Sequence, residues 1–149
     1  MIDRLFPQSI TNQYRGAFLA RWVFVLLMLV TIARSLAHIF LPDGGAQSIA
    51  TIPLDTFTVN GAAALIHLFG LWGLSQLLFG FLYAIVLWRY QSLIPLMYLF
   101  ILVEYTGRLL LTFAKPFETN GTAPGAIGNY VLIPLALVML ILSLQERSK

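Results

Sequence analysis

Four long runs of hydrophobic residues, separated by short polar segments, organise this chain. The runs cover approximately residues 17–40, 62–88, 93–113 and 127–144. Each is at least about 18 residues long, close to the ~20 that an α-helix needs to cross the hydrocarbon core of a bilayer. The pattern therefore predicts an all-α protein, an integral membrane four-helix transmembrane bundle, folded as one domain over residues 1–149.

Composition supports a membrane protein and excludes several other classes. The chain is 59% hydrophobic and only 10% charged, whereas about a quarter of the residues of a soluble domain are charged. The formal net charge is +3, but the basic residues form no stripe interleaved with aromatic residues, so we predict no nucleic-acid partner. There is no cysteine, which excludes disulfides, thiol catalysis and thiolate metal sites.

The basic residues outside the runs predict an orientation. Four spans place both termini on one side of the membrane, together with the connection between the second and third spans. Loops on the cytoplasmic side of a membrane carry an excess of Lys and Arg. We therefore expect a bacterial inner-membrane protein with both termini cytoplasmic and residues 1–15 lying along the interface. Six basic residues fall on the side of the termini and one on the other: Arg4, Arg15, Arg21, Arg89, Arg147 and Lys149, against Lys115.

Polar residues within the spans are the best indicators of a site. Glu104 and Arg108 are four residues apart, so they share one face of the third helix. An ionisable side chain in a membrane span costs several kcal/mol unless it is paired or hydrated. Residue counting places this pair and further polar side chains in the outer half of the bundle, which predicts a cavity that opens outward. The further side chains are Arg34, His38, His67, Gln76 and Tyr105.

Each of these residues has a structural alternative. Glu104 and Arg108 can form a pair that only fixes helix orientation; alternatively Arg34 pairs with Glu104 and leaves Arg108 to bind an anionic head group. Arg34 can also extend to lipid phosphates. The histidines are interfacial side chains or ligands. We predict no metal site, because His67 and Gln76 are nine residues apart and lie on opposite faces of a straight helix.

The second span contains several glycines. The third span ends with a glycine and an arginine, before a loop that contains proline. The glycines of the second span predict close helix packing. The order of features resembles small four-helix bacterial membrane proteins that are loosely DoxX-like. Some DoxX-like proteins are linked to thiosulfate and quinone redox chemistry, but the resemblance carries no catalytic residue to this cysteine-free chain. The residues that carry the resemblance are Gly70, Gly73, Gln76 and Gly80, then Gly107 and Arg108.

Three functions are consistent with these features, and no cofactor is indicated. The first is a pocket lined by Arg34, Glu104 and Arg108 that binds the polar head of a lipid or other amphiphilic small molecule. The second is an accessory subunit that docks on a larger membrane complex, or on a second copy, through its glycines and charge pair. The third is a membrane oxidoreductase or isomerase that uses Glu104 with a histidine. The sequence contains no phosphate-binding glycine loop, nucleophile elbow or HExxH motif.

Overall fold

The computed structural model describes residues 2–145, which are helical apart from their connections. Four of the helices are long and apolar enough to cross a membrane. They coincide with the predicted spans to within three residues at each end, so the prediction of four hydrophobic helices is confirmed. Arg147 and Lys149, which contributed to the predicted orientation, lie outside the described residues. The helices are α1 (Ile2–Leu5), α2 (Phe18–Phe40), α3 (Val59–Arg89), α4 (Ile94–Ala114) and α5 (Pro124–Leu144), with short 3-10 turns at Leu54–Thr56 and Gln91–Leu93.

The four long helices pack as two pairs. α2 lies along α3, and α4 lies along α5. α3 and α4 are joined by a short turn, yet they make few close contacts with each other. Although α3 and α4 follow each other in the chain, the main packing partner of α3 is α2 and that of α4 is α5.

Glycines explain the close packing of α2 on α3. A Cβ atom added to Gly73 would lie 2.7 Å from the Cβ of His38, and one added to Gly80 would lie 2.7 Å from Cγ1 of Ile32. Both distances are too short for a side chain, so glycine is what allows the two backbones to approach. Gly70 is less crowded, since its nearest neighbour would be the His38 carbonyl oxygen at 3.9 Å.

An aromatic core joins the two pairs. The ring of Phe24 in α2 packs against Tyr83 of α3 and Tyr98 of α4, with ring centroids 5.2 and 5.5 Å apart. The buried Tyr98 hydroxyl donates a hydrogen bond of 2.6 Å to the carbonyl oxygen of Ala20 in α2. Met139 of α5 belongs to the same buried cluster. The core therefore contains side chains from all four long helices.

Residues 41–58, here called the cap loop, fold over the end of the α2–α3 pair. The carboxylate of Asp43 accepts hydrogen bonds from the backbone amides of Gly45, Gln47 and Ser48 and from the Ser48 hydroxyl. Partial burial raises the pKa of this carboxyl, but the four hydrogen bonds together outweigh burial and hold the pKa below its ordinary value. The loop turns at Gly44, which has a φ of +61°. Glycine adopts this left-handed conformation without steric cost.

The cap loop is tied to the connection between α4 and α5. The Asn120 amide donates to the Thr51 carbonyl oxygen at 2.9 Å, and the Thr51 hydroxyl donates to the Gly121 carbonyl oxygen at 2.9 Å. Thr51 itself has a φ of +57°, an uncommon conformation for a β-branched residue. Both connections at this end of the molecule therefore form one hydrogen-bonded layer.

Residues 6–17, here called the N-terminal strap, cross the opposite end of the molecule. Thr11 and Ser92 exchange two hydrogen bonds, which fix the strap to the turn between α3 and α4. The Tyr14 hydroxyl donates to the Ala17 carbonyl oxygen at 3.1 Å, and burial raises the pKa of Tyr14 to about 12 despite the nearby Arg21, which lowers it. The strap makes specific hydrogen bonds to the ends of the helices. That residues 1–15 lie along the membrane interface stays a prediction.

Candidate functional site

Three helices contribute to a polar group near the cap-loop end of the molecule. Arg34 of α2 donates from Nε to Oε1 of Gln76 in α3, at 3.1 Å. Its Nη1 donates to the hydroxyl of Tyr105 in α4, at 3.3 Å. Gln76 and Tyr105 are buried. The sequence-predicted Arg34, Gln76 and Tyr105 are therefore brought together, although 71 positions separate the first from the last.

A charge pair on α4 lies beside this group. Arg108 donates from Nε to Oε1 of Glu104 at 3.1 Å, and its Nη2 contacts the same oxygen. Of the two pairings considered from the sequence, the structure shows the one within α4. Arg34 is bonded to Gln76 and Tyr105 instead of Glu104.

Trp72 connects the two arginines. Its ring centroid lies 4.8 Å from Cζ of Arg108 and 5.9 Å from Cζ of Arg34. A guanidinium at such a distance from an indole is attracted to the negative face of the ring. Trp72 was not among the predicted site residues. It precedes Gln76 by four positions, so helical periodicity alone places both on one face of α3.

His38 lies against the ring of Trp72. Its ring stacks on Trp72 with centroids 4.7 Å apart, and its Nδ1 is 2.8 Å from the carbonyl oxygen of Gly44 in the cap loop. The histidine is buried. His38 therefore connects the cap loop to the Trp72 ring, which both arginines contact. We call Arg34, Trp72, Gln76, Glu104, Tyr105 and Arg108 the polar cluster.

His67 lies apart from the polar cluster. It is exposed and lines a shallow groove of about 400 Å³ together with His38 and apolar residues of α2 and α3. Gln76, nine positions further along α3, is buried. The two side chains therefore face different ways, as their nine-residue spacing on α3 predicts. His67 is thus not grouped with Arg34, Gln76 and Tyr105.

One donor of the polar cluster has no partner. Nε2 of Gln76 is buried and has no hydrogen-bond acceptor within residues 2–145. Exchanging the amide oxygen and nitrogen would not repair this, because the nitrogen would then face the donating Nε of Arg34. An unpaired buried donor costs about 1–3 kcal/mol, so such a group normally has a water or ligand acceptor.

The donor set favours binding of an oxygen acceptor over metal chemistry. Within the described part of the chain, no group of three His, Cys, Asp or Glu side chains is placed to hold a metal ion. No carboxylate in residues 2–145 lies within ion-pair distance of His38 or His67. The polar cluster instead presents guanidinium and amide N–H groups, which bind carboxylate, phosphate or carbonyl oxygens.

A second cavity, of about 410 Å³, lies at the opposite end of the molecule between the N-terminal strap and the helix ends. Its lining includes Arg4, Gln13, Ser92 and Ser143. It shares no residue with the polar cluster. Arg4 contributes to the closure of this end, since its Nη1 donates to the Leu144 carbonyl oxygen at 2.9 Å.

Comparison with protein-family models, with curated proteins and with solved structures finds no match for this chain. The polar cluster and the four apolar helices are therefore the features that bear on its function.

Proposed function

We propose that this chain is a multi-pass protein of a bacterial inner membrane that binds the polar head of a lipid or other amphiphilic small molecule at the polar cluster. The proposal places α2–α5 across the membrane as a four-helix bundle with both termini in the cytoplasm. It includes kinship with the small, loosely DoxX-like membrane proteins. Support for the orientation comes from Arg4, Arg15, Arg21 and Arg89, which lie at the strap end, while Lys115 lies at the other.

The proposed orientation puts the polar cluster between the middle of the membrane and its outer face. Arg34 precedes the end of α2 by six residues, or about 9 Å along the helix. Glu104 precedes the end of α4 by ten residues, or about 15 Å. A ligand whose head group binds here would have that head group about 9–15 Å from the outer ends of α2 and α4.

The unpaired Nε2 of Gln76 is the observation that carries the proposal. A side chain that served only to accept from Arg34 would not need the second, unsatisfied half of its amide, which costs about 1–3 kcal/mol to bury without an acceptor. A ligand oxygen beside Arg34 would satisfy the amide and would also accept from the guanidinium. Binding is therefore the function that the unsatisfied group favours.

We place the route of the ligand to the polar cluster between α3 and α4. These helices make few close contacts, and the ring of Trp72 and the side chain of Glu104 are each more than a third exposed. An amphiphile would enter between these two helices while its acyl chain stays in the hydrocarbon phase. This geometry favours an amphiphile over a freely soluble ligand.

Native mass spectrometry of the detergent-purified protein tests the proposal. We expect an adduct of defined mass on the wild-type protein that is lost in Gln76→Leu, which preserves the side-chain volume and removes the amide. Ser75→Ala is the matched control, because Ser75 is exposed and its hydroxyl donates within its own helix to Leu71. A protein without adducts, or an adduct of equal occupancy in Gln76→Leu, would contradict the proposal.

The two alternative functions have weaker support. The glycines that could dock a partner subunit, Gly73 and Gly80, are covered by α2 of the same chain. An enzyme using Glu104 with a histidine would need the two groups near each other, whereas Glu104 is paired with Arg108. A copurifying protein would favour the accessory subunit, and a bound chromophore would favour the oxidoreductase.

A further inference from the structure

The charges of the polar cluster do not balance. Arg108 is paired with Glu104, while both partners of Arg34 are neutral side chains, Gln76 and Tyr105. Two guanidinium groups and one carboxylate leave the polar cluster with a net charge of +1. Asp43 in the cap loop does not compensate: its two oxygens accept hydrogen bonds from loop groups, and no ion pair joins it to an arginine in the described part of the chain.

Among the described residues, hydrogen-bond donors remain without an acceptor beside this unbalanced charge. A guanidinium carries five N–H groups, of which Arg34 uses one to Gln76 and one to Tyr105. The nearby Nε2 of Gln76 adds two N–H groups with no acceptor in residues 2–145. Adjacent guanidinium and amide donors match a head group that has two acceptor oxygens, as a carboxylate or a phosphodiester does.

We infer that the head group bound at the polar cluster is a monoanion, a carboxylate or a phosphodiester, held by Arg34 and by Nε2 of Gln76. This inference rests on the proposed function and specifies its ligand. A single negative charge neutralises the +1 charge of the polar cluster, which is costly to leave uncompensated at membrane depth. A second negative charge would find no free cation in the polar cluster, because Arg108 is already paired with Glu104.

The same arrangement disfavours cationic and zwitterionic head groups. Approach to an aromatic face is one of the ways in which an ammonium group binds a protein. The Trp72 ring already has the guanidinium of Arg108 at 4.8 Å and that of Arg34 at 5.9 Å. A further cation there would be repelled by both. Head-group charge is therefore the property by which this site selects its ligand.

Two ligands with the same acyl tail test the inference. Dodecanoate and dodecanol are titrated against the purified protein in a non-ionic detergent at pH 8, with binding followed by native mass spectrometry and calorimetry. Exchanging a neutral for a charge-assisted hydrogen bond is worth about tenfold in affinity, so we expect dodecanoate to bind about tenfold more tightly. Phosphatidylglycerol should exceed phosphatidylethanolamine in the same way, while acetate and inorganic phosphate should compete only weakly because they lack a tail.

Variants assign the preference to Arg34. Arg34→Gln should abolish the difference between the two ligands, and Arg34→Lys, which retains the charge, should keep most of it. Arg89→Gln is the control with the same loss of charge, at an exposed position at the other end of the molecule. If Arg34→Gln does not fold, the wild-type comparison of dodecanoate with dodecanol still decides the question.

The outcomes separate the inference from the proposed function. Equal affinity for dodecanol and dodecanoate would overturn the monoanion inference and leave amphiphile binding intact. Failure of every amphiphile to bind would overturn both. Acetate or phosphate binding as tightly as dodecanoate would overturn the assignment to a lipid-like ligand, and a preference that survives Arg34→Gln would overturn the role of Arg34.

Discussion

At the scale of single residues, Asp43 organises the cap loop. Four hydrogen bonds converge on its carboxylate, three of them from backbone amides. The interaction resembles an N-terminal helix cap, in which an Asp side chain satisfies amides that have no other acceptor. His38 contacts the Gly44 carbonyl oxygen of this loop and stacks on the Trp72 ring. A change in the loop would therefore also change the packing of His38 against Trp72.

The depressed pKa of Asp43 predicts acid sensitivity of the cap loop. A carboxyl whose folded pKa lies below its ordinary value of about 4 stabilises the fold above that value, and the stabilisation is lost as the pH falls through the folded pKa. Hydrogen exchange of residues 44–48 should therefore show protection that declines below about pH 4. Asp43→Asn should lower this protection at neutral pH, by about 1–2 kcal/mol, and remove its acid dependence.

Asp55→Asn is the control for this prediction. Asp55 accepts one exposed side-chain hydrogen bond, from Nε2 of Gln47. The variant should retain both the protection and its decline in acid. Protection in Asp43→Asn that equals the wild type at neutral pH would show that the four hydrogen bonds do not stabilise the loop.

The Glu104–Arg108 pair predicts strong coupling between its two members. In the proposed membrane setting, Arg108→Leu leaves the Glu104 carboxylate without its partner, at a cost of about 2–3 kcal/mol. The double variant Glu104→Leu, Arg108→Leu removes both charges and should be more stable than Arg108→Leu alone. Thermal unfolding in detergent of the wild type, both single variants and the double variant measures the coupling. Additive losses would show that the two side chains do not interact.

At the scale of elements, the contact of α2 with α3 depends on the absence of a side chain at Gly73. The nearest atoms to an added Cβ would be the His38 Cβ at 2.7 Å and the Ser35 carbonyl oxygen at 3.0 Å. Neither belongs to the flexible end of a side chain. The two helices can accommodate a methyl group here only by moving apart, which would also shift His38 relative to Trp72.

Gly73→Ala should therefore destabilise the protein, by about 1–3 kcal/mol, the usual cost of overpacking. Gly107→Ala is a matched control in α4, because no atom lies within 4 Å of its added Cβ. That variant should be neutral or slightly stabilising, since alanine favours a helix more than glycine does. Thermal unfolding in detergent measures the stability of both variants. If Gly73→Ala and Gly107→Ala change the stability equally, helix propensity and not packing determines the effect.

At the scale of the whole molecule, two helix pairs are joined by a buried aromatic core at one level and by the polar cluster at another. Phe24, Tyr83 and Tyr98 fill the first junction, while Arg34 and Tyr105 bridge the second. The first is apolar and closely packed. The second uses long side chains across helices that make few close contacts with each other.

The hydrogen bond from Tyr98 to Ala20 should contribute to the stability of the whole molecule. Tyr98→Phe removes the hydroxyl from a fully buried site and should cost about 1 kcal/mol. The comparison is Tyr130→Phe, at an exposed position of α5, which should change the unfolding temperature little. If the two variants unfold at the same temperature, the bond does not help to hold the two pairs together.

The sequence by itself determined the number, type and limits of the long helices. Their hydrophobic runs are long and are separated by prolines, glycines and charged residues, so local composition is sufficient to place α2–α5. It also predicted that Glu104 and Arg108 share one face of their helix, because two residues four apart on a helix are neighbours whatever the rest of the chain does. It left Arg34 as an alternative partner of Glu104. Arg34, Gln76 and Tyr105 were selected by the same reasoning, as polar residues within apolar runs.

Only the tertiary structure decided which of these side chains meet. The partners of Arg34, the place of Trp72 between the arginines and the separation of His67 depend on the rotation of each helix about its axis and on which helices pair. A helix that is apolar on nearly every side, as α3 is, carries little periodic signal for its rotation. That rotation is set by contacts with distant segments, such as Gly73 against His38, and these contacts exist only once the chain has folded.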